Sequence, residues 1–258
     1  MKQMNSDIKE KDIIAVWFSC GAASAVAAKK TIEQYGETHI IRVINNPIKE
    51  EHDDNRRFLK DVEKWLGIEI EIAINKDWQS FSAYDVWEKR KYMEGIGGAP
   101  CTQQLKKEAR RQWEDKNHHD HLVLGFTFDE VKRSKRFILT ERSNVIEVLI
   151  DNKLTKADCF KIIQDAGIEL PEIYKLGYPN ANCIGCVKAT SPTYWNHVRK
   201  VHPEIFKQRA EQSERIGCRL VRYKGKRTFL SELPPEAKGR PMKTLKMPDC
   251  GIFCEEKL

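Results

Sequence analysis

The chain has 258 residues, 40% of them hydrophobic and 32% charged, with a formal net charge of +7 and a mean hydropathy of −0.60. That balance excludes a disordered chain, and no apolar run approaches the roughly 18 residues a membrane-crossing helix needs. The polar opening, MKQMNSDIKEKD, has no apolar signal core, so a cytoplasmic protein without membrane contact is expected.

In chain order, the apolar run IIAVWFS (13–19) reads as a buried strand, and AASAVAAKKTIEQYG (22–36) as a helix stopped by glycine. HIIRVINN (39–46) is a second strand. DDNRRFLKDVEKWLG (53–67) is a helix, with Phe58, Val62, Trp65 and Leu66 on one face. IEIEIAIN (68–75) is a third strand, followed by helix 80–93, the glycine-rich loop EGIGGAP and helix 102–116. HLVLGF (121–126) and VIEVLI (145–150) complete five strands. Strands alternating with helices predict an α/β fold with a doubly wound, mostly parallel sheet, whose ligand crevice lies at the carboxyl ends of the strands. SCGAAS (19–24) sits at such an end. Its small residues let backbone N–H groups approach an anion at a helix N-terminus, and its hydroxyls add donors.

The second half differs. After helix 156–168, the stretch LPEIYKLGYPNANCIGCVKATSPTYW (170–195) is rich in Pro, Gly, Asn and Cys; a helix interrupted at Pro203 then runs to Gly217. We divide the chain into residues 1–150, an α/β domain that carries the SCGAAS turn, and 151–258, a cysteine-rich, α-helical C-terminal extension. The basic clusters KRSKR (132–136) and YKGKR (223–227) are either solvated loops or anion-facing patches. The run His118, His119 and His121 reads as a polar turn before a strand, and His197 and His202 as structural.

Eight cysteines in a cytosolic chain argue for metal or thiol chemistry over disulfides. Cys159 and Cys218 stand alone and read as small buried hydrophobes. Cys183-Ile-Gly-Cys186 and Cys250-Gly-Ile-Phe-Cys254 are close pairs able to close a four-thiolate zinc or iron–sulfur site.

Three segments carry a family resemblance. Ser19-Cys20-Gly21-Ala22-Ala23-Ser24 resembles the Ser-Gly-Gly-x-Asp-Ser loop of PP-loop adenine-nucleotide enzymes, with Cys20 for the first glycine and Ala23 for the aspartate. GGAPCTQQLKK (97–107) and LGFTFDEVKRSKR (124–136) resemble the Cys-Thr-x-x-Leu-Lys and Gly-x-Arg-x-x-Glu-Ser-x-x-Arg segments of the phosphoadenosine phosphosulfate (PAPS) reductase-like branch. In the last of these Thr127 replaces the first arginine. The resemblance implies a PP-loop, Rossmann-like fold in which Ser19, Gly21, Ala22 and Ser24 cradle the phosphates or sulfate of ATP, PAPS or APS. Lys106, Arg133 and Arg136 would neutralise that anion, and Asn45 and Asn46 would lie near the adenosine. Cys101 precedes the CxxC by 82 positions, a separation like that in the iron–sulfur sulfonucleotide reductases. Cys101, Cys183, Cys186 and Cys254 are therefore expected to hold a [4Fe-4S] cluster, or alternatively zinc. Asp249-Cys250-Gly251-Ile252 resembles the Glu-Cys-Gly-Leu element of those reductases, which makes Cys250 a candidate nucleophile. Lys243, Lys246 or a metal would lower its pKa. The expected activity is sulfur chemistry on an adenine nucleotide: reduction with a thiol reductant, or ATP-dependent transfer from a sulfur donor, with nucleic acid as one acceptor. The competing expectation is a non-catalytic nucleotide- or nucleic-acid-binding module with a structural zinc.

Overall fold

The structure is a computed structural model that describes residues 11–95 and 97–242. Cys250 and Cys254, with Lys243 and Lys246, lie outside the described residues.

Five strands, β1 (Ile13–Phe18), β2 (Ile40–Asn45), β3 (Ile70–Ile72), β4 (His121–Val123) and β5 (Val145–Ile146), form one sheet in the order β3-β2-β1-β4-β5. Every pairing in it is parallel. Its central strand β1 is the most apolar, as expected where both faces are covered. On one face α1 (Ala22–Tyr35), α2 (Asn55–Leu66) and α7 (Lys156–Asp165) pack against Ile14, Val16, Phe18 and Val43. The alanines of α1 let it lie close to the sheet. Cys159 of α7 is fully buried in this layer. On the other face Trp17, Ile44 and Leu122 meet Trp113 of α4 (Glu108–Glu114) and Phe137 of α5 (Val131–Thr140). No helix among the described residues is long and apolar enough to cross a membrane.

A third core lies beside the sheet. It joins Val86 and Trp87 of α3 (Ala83–Arg90) to Tyr194, Trp195 and Val198 of α9 (Pro192–Val201), to Phe206 and Ala210 of α10 (Pro203–Ile216) and to the CxxC loop. The short helices α6 (Val148–Asp151) and α8 (Glu172–Lys175) carry the chain between the layers.

Four segments differ from expectation. The fifth strand ends at Ile146 and Val148–Asp151 turns into α6, because Val148 and Leu149 are needed under α1 rather than along the sheet. KRSKR is helical, not a loop, since Ser134 and Phe137 form a buried stripe within α5. YKGKR forms a hairpin, β6 (Val221–Tyr223) with β7 (Lys226–Thr228), turning at Lys224 and Gly225. The expected helix 102–116 is present, but residues Thr102–Lys107 form a π-helical turn before α4. Such turns are rare and concentrate at functional sites.

Candidate functional site

The crossover between β1 and β4 is the point where strand order reverses, and the crevice of such a sheet opens there. The β1–α1 turn fills this position. Cys20 takes the left-handed conformation (φ 54°) natural to the glycine it replaces. Gly21 is the extended N-cap of α1. The Ser24 hydroxyl accepts from the Ser19 N–H at 3.1 Å, lies 3.2 Å from the Ser19 hydroxyl and donates to the Gly21 carbonyl at 2.9 Å. Ser24 thus shapes the turn from inside, while Ser19 is exposed. Gly125, just beyond β4, runs against the first turn of α1; a Cβ there would sit 2.8 Å from the Ser24 nitrogen. Only glycine permits this approach.

The Cys20 thiol is buried. Burial, then the nearby Glu51 carboxylate, push it far above the ordinary thiol range, against opposing effects from Asn45 and Lys106. Asn45 and Asn46 hold the backbone together: Asn45 donates to the Phe18 carbonyl at 2.8 Å, and Asn46 to the carbonyls of Ala73 and Leu105. Lys106, on the π-helical turn, is buried and pairs with Glu51 at 3.5 Å. The π-helical turn therefore brings a cation toward the β1 turn. Glu51 stands close enough to Cys20 to act on its thiol.

Thr127 has a local task that explains the missing arginine. Buried, it forms a capping box with Glu130 at the start of the 3-10 turn that leads into α5. Glu130 also holds Arg133, whose guanidinium lies 5.0 Å from the Phe126 ring centroid. Arg136 is exposed on the same helix.

Two residues beside the cradle carried no motif and were missed in the sequence. Tyr174 of α8 accepts a hydrogen bond from the Ala22 N–H, at the helix terminus where an anion would sit, and burial pushes its phenol up to about 12. Its oxygen is 3.3 Å from the position a Gly21 Cβ would occupy. Lys156 stands 5.7 Å from the Tyr174 ring and donates to Asn180 Oδ1 and the Pro179 carbonyl; burial lowers its pKa.

The CxxC loop adjoins the cradle through two consecutive residues. Glu50 accepts the Ile184 N–H on its carbonyl, while its carboxylate caps α3 through Ser82, Ala83 and Tyr84. Glu51 holds Lys106. Cys183 and Cys186 are buried on either side of Gly185, which is left-handed (φ 67°) and where an added Cβ would sit 3.2 Å from Ile205. The Cys186 N–H donates to the Tyr194 hydroxyl at 3.0 Å, and burial together with the Cys186 sulfur holds that phenol well above its ordinary range. His197 Nε2 donates to the Leu176 carbonyl at 2.8 Å, and the ring stacks edge-on with Tyr178, which also faces His202.

Beneath the loop lies Arg209, a buried cation with no signature in the sequence. It is 0% exposed, bonds the Gly185 carbonyl and Gln212, and stands 4.2 Å from the Trp87 ring centroid. Its Nη2 has no hydrogen-bond partner among the described residues. Burial lowers its pKa, and Glu50, Cys183 and Cys101 all act against that. The fold thus gathers Cys101 and Cys183, 82 positions apart, around one buried positive charge. Two buried cysteines and the half-buried Cys101, with a buried cation whose Nη2 has no partner among the described residues, fit an anionic thiolate-bound metal centre with soft donors supplied by Cys101, Cys183 and Cys186.

A doubly wound α/β protein with an anion-shaped turn at its switch point is thus defined by the geometry. The chain belongs to the phosphoadenosine phosphosulfate reductase domain family, whose pattern matches residues 13–192. A search of curated proteins found no match. Among solved structures, the U34-tRNA thiolase NcsA from Methanococcus maripaludis with its [4Fe-4S] cluster is similar at 16% identity. That match covers 81% of this chain and 72% of that one, with a TM-score of 0.42.

Proposed function

We propose that this protein binds an adenine nucleotide at the β1–α1 turn and carries out sulfur chemistry beside a cysteine-bound iron–sulfur centre. The observation that carries this reading is the adjacency of cradle and thiols: residues 50 and 51 touch the CxxC loop and the Lys106 ion pair in succession. Ser19, Gly21, Ala22 and Ser24 would bind the phosphates or sulfate of ATP, PAPS or APS through backbone and hydroxyl donors, with Tyr174 giving up its Ala22 contact to the ligand. Lys106, Arg133 and Arg136 would supply positive charge.

Cys101, Cys183 and Cys186, with Cys254, would hold a [4Fe-4S] cluster, which supplies electron transfer or an iron site for sulfur. Cys250 is the proposed nucleophile. Reduction would call for a thiol reductant and transfer for a sulfur donor, with nucleic acid as the acceptor the basic α5 and hairpin surfaces suit.

Anaerobic purification with a visible spectrum and metal analysis tests this. Iron with sulfide and broad absorption near 400 nm, together with ATP, PAPS or APS binding that is lost on disrupting the turn, is the expected result. One zinc, no colour and no nucleotide binding would replace this reading with the structural module. Sulfite release from PAPS or APS, against AMP release from ATP, separates the two reactions.

A further inference from the structure

The run Asn117-His118-His119-Asp120-His121 does not act as one turn. His118 pairs with Asp120 at 3.1 Å, and His119 faces Glu114 at 3.7 Å and the Trp113 ring. His121, the first residue of β4, instead joins two residues from elsewhere in the sequence.

Strand register explains why. Ile13 pairs with Ile40, so Asp12 and His39 stand side by side just before β1 and β2, with the Ile40 N–H on the Asp12 carbonyl at 3.0 Å. Ile14 pairs with His121. Side chains alternate along strands, so residues 12 and 14 share a face, and with them His39 and His121. That face is the α1 side, and Tyr35 at the end of α1 packs edge-on to His39 at 5.4 Å.

We propose that Asp12, His39 and His121 form a binding site for a divalent first-row transition ion of the zinc class. One ligand atom from each lies within 4.8 Å of the others, and His121 Nε2 is 3.9 Å from Asp12 Oδ2. Nitrogen and oxygen ligands of a tetrahedral zinc ion stand about 3.3–3.4 Å apart. Small rotations of these partly exposed side chains close that difference. Two imidazoles and a carboxylate are borderline donors that suit zinc, nickel, cobalt or copper over magnesium or calcium. The Thr38 hydroxyl lies 2.8 Å from His39 Nδ1, an outer partner of the kind that orients a ligating imidazole, leaving Nε2 for the metal. Exposure leaves the remaining coordination positions to water. The site is at the amino edge of the three central strands, across the sheet from the nucleotide cradle, and is independent of the function proposed above. A bound ion would tie the starts of β1, β2 and β4 together.

The test compares zinc binding by the full-length protein with that of a His39→Ala/His121→Ala variant, using calorimetry and metal counting after desalting. The wild type is expected to bind one more equivalent than the variant. Cobalt bound in that extra site should show ligand-field bands without sulfur-to-cobalt charge transfer, which separates it from the cysteines. Equal stoichiometry and affinity in both proteins would overturn the proposal, as would an extra equivalent carrying a thiolate spectrum. Should the double variant fold poorly by circular dichroism, Asp12→Ala serves instead. Zinc binding weakened by roughly tenfold or more supports the site, and unchanged affinity overturns it.

Discussion

Cys20 carries two burdens at one position: a left-handed backbone and a buried thiol. A non-glycine residue there costs about 1–2 kcal/mol, while the buried sulfur returns part of that by packing. Cys20→Gly and Cys20→Ala both lose the sulfur, but only glycine relieves the backbone. The glycine variant should therefore be the more stable of the two by about 1 kcal/mol, measured from denaturant midpoints; the reverse order would mean that the turn is unstrained. Buried thiols also set a pH limit. Burial and the neighbouring Asp158 and Asp129 push the Cys159 thiol up to about 12, whereas an unfolded thiol titrates near about 8.5. Below about pH 8.5 both states hold the proton and the contribution is complete. Above it the unfolded chain ionises first, so stability falls as pH rises toward 12, by up to ~1.4 kcal/mol per pH unit for each such thiol. Cys159→Ala should flatten the loss between pH 9 and 11, read from denaturant midpoints. At Arg209 the matching expectation is that Arg209→Met, which leaves the thiols without their buried cation, lowers the iron retained per chain, while Arg209→Lys retains more.

At the scale of elements, the cradle depends on a contact between two of them. The exit of β4 passes Gly125 against the first turn of α1. Gly125→Ala must push backbone against backbone, a form of overpacking that costs about 1–3 kcal/mol. We expect the variant to fold with lowered stability and to bind adenine nucleotide at least about tenfold more weakly, because 1.4 kcal/mol of lost fit is a factor of ten. Calorimetric titration checks this, and an unchanged affinity would remove Gly125 from the site. The π-helical turn has a comparable role. Its wider winding carries Lys106 inward to Glu51 while Cys101, one residue before it, reaches the third core.

Across the whole molecule, the sheet layers and the third core are separate hydrophobic clusters, bridged by Tyr174 and by residues 48–51. Removing the thiols should therefore loosen one without the other. In a Cys183→Ser/Cys186→Ser variant, amide hydrogen exchange should rise across 183–237, while β1 and α1 keep their protection. A uniform rise over both would show that the thiol loop supports the entire fold. Legibility in the sequence followed the same division. The parallel sheet could be read because its strands are short apolar runs, the first two each followed by a helix that ends at glycine, as in 13–36 and 39–67. Tyr174, Lys156, Glu51 and Arg209 could not, because each acts through a neighbour distant in sequence and stands in no local pattern of its own.

By itself, the sequence determined the α/β class, the order of strands and helices through residue 126, and a strand–turn–helix junction of small residues at a carboxyl edge. These are local properties, set by hydrophobic periodicity and by which residues tolerate a tight turn. Only the tertiary structure decided that Val148–Asp151 leaves the sheet, that KRSKR winds into a helix and that Cys101 shares a buried arginine with Cys183. Strand register likewise decided that Asp12, His39 and His121 meet. The physical reason is the same each time: burial and register are settled by what packs against a residue, and the partner lies dozens of positions away along the chain.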